Sequence, residues 1–307
     1  MEWKKEGLIF SVDKHSDWMY SHAAVPFAEH LKEDIFRIYF TTRDKQNRSH
    51  GAFIDVDITN PKNILNISLD PIISPGPLGS FDDSGTMPTY IVYHQDKKYI
   101  YYIGWNLGVT VPFRNAIGLA ISKQTPHTAF KKISNGPIID RSIYDPCFVA
   151  SLCILREDDK WRMWYLSCEK WEMDPEGSLK HYYNIKYAVS FDGINWQREG
   201  IICIPFKNSE EYAISRPCVL KEDDMYKMWF SYRGGEETYR IGYAESKDGI
   251  QWRRLDHLAG IDVSQNGWDS EMIEYPFVFS HKGGTYMLYN GNGYGRSGFG
   301  YAILHKG

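Results

Sequence analysis

Acidic residues precede several of the prolines that recur along this chain. They lie within five residues of the next proline: Asp83, Asp145, Glu271 and Glu274. Carboxylates that face one another in a partly dry funnel can act on a glycosidic bond, because one is held protonated as an acid while another stays ionised as base or nucleophile. Turn formation is the alternative role for each of them, since aspartate before proline commonly shapes a turn.

A second set of residues has the chemistry to bind a substrate. Arginine suits bidentate contact with phosphate or carboxylate groups, and tryptophan stacks on the face of a sugar ring. Solvated loop charge is the alternative account for each basic residue, because such side chains are mostly exposed. The set comprises His22, Arg43, Arg48, His50, Trp105, Asn106, Arg114, His181, Arg216, Arg233 and Asn290.

An internal repeat must position both sets. Segments 185–198 and 241–254 are identical at nine of fourteen positions. In each copy a Tyr-Ala segment predicts a strand, Asp-Gly predicts a tight turn, and the following Trp begins a returning strand. Weaker copies of the same order of strands and turns begin at Pro26, Pro88 and Pro276.

The spacing of the copies indicates the architecture. The prolines that open the five copies are separated by 62, 58, 71 and 59 residues, and a four-stranded unit that recurs at this period predicts a propeller. The last copy lacks its fourth strand, and residues 3–9, which resemble residues 196–202, supply one. We therefore predict an all-β, five-bladed β-propeller, with residues 1–307 as one domain and the ring closed by the N-terminal strand. A β-sandwich, the alternative, explains neither the period nor the N-terminal match.

The composition excludes some classes of partner. A formal net charge of -4 provides no basic surface for nucleic acid. There is no apolar leader and no apolar stretch long enough to span a bilayer, so we expect a soluble, cytoplasmic protein. Five cysteines without a Cys-x-x-Cys pair indicate reduced thiols. Metal-ligand spacing and a dinucleotide fingerprint are both missing, so we expect no cofactor, with a lone Ca²⁺ ion on the axis left open.

The repeated Ser-x-Asp-Gly-Ile-x-Trp, the Asp145-Pro pair and the segment Glu274-Tyr-Pro together resemble the five-bladed propeller clan of invertases, levansucrases, arabinanases and β-mannoside phosphorylases. The resemblance covers the whole chain. It looks closest to a glycosidase-like subgroup associated with bacterial surface-polysaccharide gene sets, on the segments 112–115 and 289–294. It implies a glycosidase-like enzyme with an aspartate nucleophile or base, a second aspartate that stabilises the transition state, and a glutamate acid.

The chain departs from that pattern at two of its openings. The segment before Pro26 contains His22 but no carboxylate. Arg216 occupies the position where another acid is expected. Three functions stay open. The first is cleavage or transfer of a glycosyl group, with Asp83 or Asp145 as base or nucleophile and Glu274 or Glu271 as acid. The second is a phosphorylase or an enzyme of phosphorylated or nucleotide-linked sugars in surface-glycan biosynthesis, and the third is a non-catalytic glycan-binding propeller. In each case the partner is a carbohydrate, with an anionic group or a phosphate co-substrate expected, and the oligomeric state is left open.

Overall fold

β-Strands account for nearly all of the regular structure in the computed structural model, which describes residues 1–123, 130–174 and 176–305. Twenty strands occur in these ranges, together with one 3-10 turn, Asp256–Leu258. The predicted all-β class with essentially no helix is confirmed. Across the same ranges, no helix has the length and apolar character needed to cross a membrane.

The strands group into five units of four, each named by its order along the chain. The first unit comprises β2 (Ser21–Lys32), β3 (Ile35–Arg43), β4 (Ser49–Asp57) and β5 (Ile64–Ile67). The second comprises β6 (Gly85–His94), β7 (Lys97–Leu107), β8 (Phe113–Lys123) and β9 (Lys131–Lys132). The third comprises β10 (Phe148–Glu157), β11 (Lys160–Met173), β12 (Leu179–Ser190) and β13 (Gln197–Ile204). The fourth comprises β14 (Glu211–Glu222), β15 (Met225–Gly234), β16 (Glu237–Ser246) and β17 (Arg253–Arg254), and the fifth β18 (Glu274–His281), β19 (Gly284–Asn290), β20 (Phe299–Leu304) and β1 (Trp3–Phe10).

Within each unit, neighbouring strands are antiparallel. Single parallel bridges, Ser49 to Gly85 and Tyr183 to Ala213, join the first unit to the second and the third to the fourth. The fifth unit has the strand order β1-β20-β19-β18, with Trp3 opposite Leu304. The N-terminal strand therefore completes the unit that contains the C-terminal strand, as the sequence match suggests.

The Asp-Gly repeat forms a turn whose hydrogen bonds explain its residue types. In the third unit, Oδ1 of Asp192 accepts hydrogen bonds from the backbone N–H groups of Ile194 and Asn195, both at 2.8 Å. Gly193 has a φ of 71°, a left-handed conformation that costs little without a Cβ. Nε1 of Trp196 donates to the Gly193 carbonyl at 3.2 Å. The fourth unit repeats these contacts, which is why the motif recurs in the sequence.

Hydrophobic cores lie between successive units. The second and third units share one core, the third and fourth another, and the first packs on the second. The fourth packs on the fifth, and the fifth packs on the first through residues such as Leu288 and Phe40. The first strands of the units also contact one another in the order β2, β6, β10, β14 and β18, and β18 contacts β2. Side chains near the starts of these five strands are therefore brought together.

A bulge interrupts each of these first strands at a corresponding point. In three of them the residue before proline has positive φ: Val25 at 56°, Arg216 at 52° and Tyr275 at 56°. Such angles are unusual for branched or bulky side chains. A bulge re-aims side chains and is frequent beside active sites.

Deletion of residues 1–9 is expected to lower the melting temperature sharply, because it removes β1 and exposes the edge of β20. Trp3 and Ile9 are buried in it, and each loses about 1.5–3 kcal/mol of burial free energy. Thermal unfolding followed by circular dichroism measures the effect. Lys4→Ala, an exposed position in the same strand, is the control that should unfold near the wild-type temperature. An unchanged melting temperature in the truncated protein would show that β1 does not support the fifth unit.

Candidate active site

A central cavity of about 150 Å³ lies where the five first strands meet. Each of these strands contributes one or more lining residues: Val25, Met87, Phe148, Ala150, Ser151, Ser215 and Tyr275. Further lining residues come from the neighbouring strands: Ile103, Phe113, Asn115, Leu166, His181, Tyr183 and Tyr239. None of these lining residues carries a carboxyl group. The cavity is therefore bounded mainly by aromatic, aliphatic and hydroxyl groups. A carboxylic acid could act on a molecule in the cavity only through the residues that line it.

Glu274 is the predicted acid that adjoins this lining. It is 0% exposed at the start of β18, directly before the lining residue Tyr275. Neither of its carboxyl oxygens makes a well-aligned hydrogen bond within the described ranges. Burial raises the pKa of Glu274 well above its ordinary value, and the Arg233 charge and the nearby Tyr275 hydroxyl only partly oppose this. The raised pKa favours the protonated form of this carboxyl group, which is the form that a general acid needs.

Tyrosines and Arg233 surround Glu274. The hydroxyls of Tyr183 on β12 and Tyr239 on β16 are hydrogen-bonded to each other. The Arg233 guanidinium packs over the Tyr239 ring, 4.7 Å from its centroid, and donates a 2.8 Å hydrogen bond to the Tyr294 hydroxyl. Aromatic faces attract a cation, so Arg233 is held without a carboxylate contact of its own among the described residues.

A second positively charged residue, Arg43, acts on Tyr275. Arg43 ends β3, and its charge acts on both His22 and Tyr275. Burial, together with the charges of Arg43 and Arg296, lowers the pKa of His22 to about 4. His22 is therefore neutral at pH 7, and the positive charge here belongs to the two arginines. Arg43 and Arg233 thus both add positive charge near Tyr275.

Aromatic rings beside Tyr183 form one wall of the cavity. The His181 ring lies 4.6 Å from Trp171 and 5.0 Å from Tyr183, centroid to centroid, and Phe113 packs edge-on to it at 5.6 Å. Burial and the Arg233 charge lower the pKa of His181 to about 4. A neutral imidazole among aromatic rings offers flat apolar area with a hydrogen-bonding edge, which suits a sugar ring.

Asp145 has a different environment from the one its predicted catalytic role requires. It is 0% exposed and is absent from the cavity lining. It accepts a 3.0 Å hydrogen bond from the Tyr165 hydroxyl and forms a 2.6 Å ion pair with Arg198. The Lys186 ammonium lies 4.0 Å away. All of these contacts are made with the protein beneath the surface, and the catalytic role of Asp145 stays a prediction.

The same contacts recur in two other units, and we call the arrangement the acid–tyrosine–base latch. In each latch an aspartate before the first strand contacts a tyrosine twenty residues later, on the second strand, and a base on the fourth strand. The other two latches are Asp82 with Tyr102 and Lys132, and Asp269 with Tyr289 and Lys5. A contact repeated by three units holds each unit together, which explains Asp145 without catalysis.

Asp145→Asn is expected to lower the free energy of unfolding by about 3–5 kcal/mol, because it removes the buried partner of Arg198, whose side chain is only 16% exposed. Asp269→Asn should cost a similar amount, since it breaks the equivalent latch. Asp17→Asn, which breaks an exposed pair with Lys45, should cost less than about 1 kcal/mol. Urea unfolding measures all three. Full stability of Asp145→Asn together with loss of turnover would restore its predicted catalytic role.

Four other predicted residues lie in surface turns or on the surface. Oδ2 of Asp83 accepts a hydrogen bond from the Gly79 N–H at 3.0 Å, so its carboxylate caps a turn. Glu271 is exposed, and its backbone forms hydrogen bonds with Asn292 and Thr238. Arg48 and Arg114 are both exposed, and Arg48 pairs with Asp44 at 2.9 Å.

Arg216 and Asn290 are buried and bonded to the protein itself. Nη1 of Arg216 donates to the carbonyl and the hydroxyl of Thr89, and Nη2 donates to the Pro26 carbonyl at 3.3 Å. Asn290 accepts from the Val25 N–H and donates to the carbonyls of Ala23 and Gly298, at 2.7 to 2.8 Å. Arg216 thus joins three units beneath the cavity, and Asn290 joins the fifth unit to the first. Both placements differ from the substrate-binding role that was predicted.

The remaining predicted residues lie in the first and second units. Nε2 of buried His50 contacts Asp44 at 3.0 Å, and the Trp105 indole donates to the Ser49 hydroxyl at 3.1 Å. Asn106 is half-buried in β7. None of these three lines the central cavity, so their proposed contact with substrate stays a prediction.

Sequence reasoning did not single out Tyr239 or Tyr275. Tyrosine in a strand normally indicates core or interface packing, so neither residue stood out by type. The signal available for Tyr275 was its place directly before a recurring proline. No group of three or more His, Cys, Asp or Glu side chains in the described ranges could hold a metal ion.

Solved structures identify the class of fold. A glycoside hydrolase aligns with a TM-score of 0.75 at 17% identity, over 98% of this chain and 90% of its own. A thermostable family-43 glycoside hydrolase aligns with a TM-score of 0.64 at 17% identity, over 96% and 91%. The fold is the propeller-type, all-β fold of such enzymes. At these identities the likeness concerns the fold alone.

Sequence relatives identify the family. An uncharacterized protein of Mycobacterium tuberculosis is 44% identical over 306 residues, which is 100% of both chains, and its counterpart in a second strain is 43% identical. The chain belongs to the family that these mycobacterial proteins represent. A β-1,2-mannobiose phosphorylase of Thermoanaerobacter is 26% identical over 165 residues, 49% of this chain and 53% of the phosphorylase. No protein-family profile matches the chain.

Proposed function

We propose that this protein is a carbohydrate-active enzyme that transfers a glycosyl group, with Glu274 as the acid. The five four-stranded units are the blades of a single-domain propeller, and β1 closes the ring. Support for the ring comes from the shared cores, including the one between the fifth and first units, and from the pairing of β1 with β20. Support for carbohydrate chemistry comes from the glycoside-hydrolase fold, the phosphorylase relative and the aromatic wall beside the cavity.

The observation that carries the proposal is the completely buried carboxyl group of Glu274 beside the cavity, whose pKa is raised by burial. Departure of a sugar's leaving oxygen is assisted by a proton, and an acid with a raised pKa supplies it at neutral pH. A pair of carboxylates would add a base or nucleophile. The described lining offers no second carboxylate.

The missing carboxylate favours an acceptor that brings its own negative charge. A phosphate oxygen is already ionised and needs no general base to attack the anomeric carbon. Arg43 and Arg296 near His22, and Arg233 near Glu274, provide positive charge for such a group. We therefore favour phosphorolysis, or transfer to or from a phosphorylated sugar, over simple hydrolysis. The cytoplasmic location and the role in surface-glycan biosynthesis remain predictions.

The proposal is tested by incubating the protein with a panel of disaccharides and aryl glycosides, with and without inorganic phosphate. We expect formation of a sugar phosphate that depends on phosphate. Arg43→Ala should raise the KM for phosphate at least about tenfold, a loss of 1.4 kcal/mol or more. Arg253→Ala, an exposed position in β17, is the matched control and should leave KM unchanged. Hydrolysis at a rate independent of phosphate would replace this proposal with an ordinary glycoside hydrolase.

Two other outcomes correspond to the other candidate functions. Turnover of a nucleotide-linked sugar, with release of a nucleoside diphosphate, would make the protein a sugar-nucleotide enzyme. Saturable binding of a sugar without turnover under every condition would make it a glycan-binding propeller.

A further inference from the structure

From the positions of Glu274 and Tyr275 we infer that Tyr275 is a catalytic residue, the group through which the proton held by Glu274 reaches the leaving oxygen of the substrate. The inference rests on the proposed function and assigns a residue of the same site. Glu274 is completely buried and does not line the cavity, whereas Tyr275 does. A proton that starts on Glu274 needs a carrier to enter the cavity.

The backbone of β18 explains how Tyr275 reaches that position. Successive side chains of a regular strand point to opposite faces, but the bulge between Glu274 and Phe277 breaks this alternation. Tyr275 has a φ of 56°, and its N–H donates a 2.7 Å hydrogen bond to the Ser231 hydroxyl. The bulge therefore allows adjacent residues to place a carboxyl group and a phenol near each other.

In two other units the residue before proline has a similar positive φ. Comparison of these residues with Tyr275 shows how their side chains differ. Val25 lines the cavity with an aliphatic side chain, and Arg216 is bound beneath it to backbone and hydroxyl oxygens. The repeated geometry places one side chain per unit near the centre of the molecule. Of these three side chains, Tyr275 alone brings a proton donor to the cavity.

Charged groups around Tyr275 suit proton transfer. Arg43 from β3 and Arg233 from β15 both act on it. The other titratable neighbours beside Glu274 are Tyr183, Tyr239, Tyr294 and the buried Arg216. Burial and the neighbouring Glu274 keep the pKa of Tyr275 well above its ordinary value, so the phenol is protonated at rest. The two arginines stabilise the negative charge that develops on the phenol oxygen during transfer.

The step balances with phosphate as the acceptor. Tyr275 gives its hydroxyl proton to the glycosidic oxygen as the bond from the anomeric carbon to that oxygen breaks and its electron pair moves to the oxygen. Glu274 gives its proton to the Tyr275 oxygen and becomes a carboxylate. A phosphate oxygen forms the new bond to the anomeric carbon, and Glu274 regains a proton from solvent through Tyr275 after product leaves.

The test compares Tyr275→Phe with wild type on substrates that differ in their need for a proton. On a disaccharide, whose leaving alkoxide must be protonated, we expect kcat/KM to fall about 10²- to 10⁴-fold. On a dinitrophenyl glycoside, whose leaving group departs as an anion, it should fall less than about threefold. Glu274→Gln should show the same pattern. Tyr286→Phe, on β19 and stacked on Phe279 away from the cavity, should retain wild-type rates on both substrates.

A second variant keeps the inference testable if Tyr275→Phe does not fold. Difluorotyrosine at position 275 preserves the shape and makes the phenol a stronger acid, so kcat/KM on the disaccharide should change by more than about threefold while that on the dinitrophenyl glycoside stays near wild type. Equal losses on both glycosides in Tyr275→Phe, or wild-type rates on both in the difluorotyrosine variant, would overturn the role of Tyr275 while the proposed function stands. Absence of turnover by the wild-type protein on the whole panel would overturn the proposed function and this inference together.

Discussion

Glu274→Gln is expected to reduce turnover of a disaccharide by about 10²- to 10⁴-fold, because glutamine keeps the shape of the buried carboxyl group but holds no transferable proton. Steady-state kinetics with and without phosphate measures the change. Glu199→Gln, an exposed position in β13, is the control and should turn over at the wild-type rate. Retention of full activity in Glu274→Gln would remove this residue from the mechanism.

The same variant has an expected effect on stability, with a defined sign. The pKa of Glu274 is raised in the folded protein, so between its unfolded and folded pKa values the folded state binds the extra proton. The free energy of unfolding of wild type should therefore fall as pH rises above the ordinary glutamate pKa of about 4.3, by up to about 1.4 kcal/mol per pH unit. Glutamine does not titrate. The stability of Glu274→Gln relative to wild type should increase with pH across this window, which urea unfolding at several pH values measures.

Arg216→Ala is expected to lower the free energy of unfolding by about 3 kcal/mol or more. The change opens a cavity beneath the active site and leaves the buried oxygens of Thr89 and Pro26 without their donor. Burial lowers the pKa of Arg216 to about 10, so the side chain is still charged at pH 7. Arg216→Met restores volume without the donors and should fall between wild type and alanine.

Arg156→Ala, an exposed arginine on β10, serves as the control for loss of positive charge alone and should stay within about 0.5 kcal/mol of wild type. Differential scanning calorimetry compares the four proteins. An alanine variant of Arg216 as stable as wild type would show that the three strands do not depend on this guanidinium.

The repeat was predictable from sequence because its residues have local roles. Asp192 and Gly193 shape a turn through contacts within a few residues, so their pattern survives in each copy. The N-terminal segment was recognisable as a fourth strand for the same reason, and Trp3 does pair across from Leu304. Local chemistry repeated at a fixed period is the kind of signal that a single sequence preserves.

The site was harder to predict because its residues depend on contacts between distant segments. Asp145 and Glu274 both precede prolines, yet one is bound by Arg198 and Tyr165 and the other meets no such partner in the described ranges. The sequence did hold a clue to the latch, since three aspartates precede a tyrosine by the same twenty residues. No comparable spacing indicates Tyr275, whose position depends on a bulge and on contacts with Ser231 and Tyr239 of the fourth unit.

The pairing of β1 with β20 also constrains how the protein is made. Synthesis on the ribosome proceeds from the N-terminus, so the first four units can fold one after another while residues 3–10 still lack their partner. Trp3 and Ile9, which end up buried, lack part of their packing until residues 299–304 emerge. Contacts between the two ends of a chain form late and expose apolar surface in the meantime. The fifth unit is thus the last to assemble, and the period before its completion is when nascent chains are most prone to associate with one another.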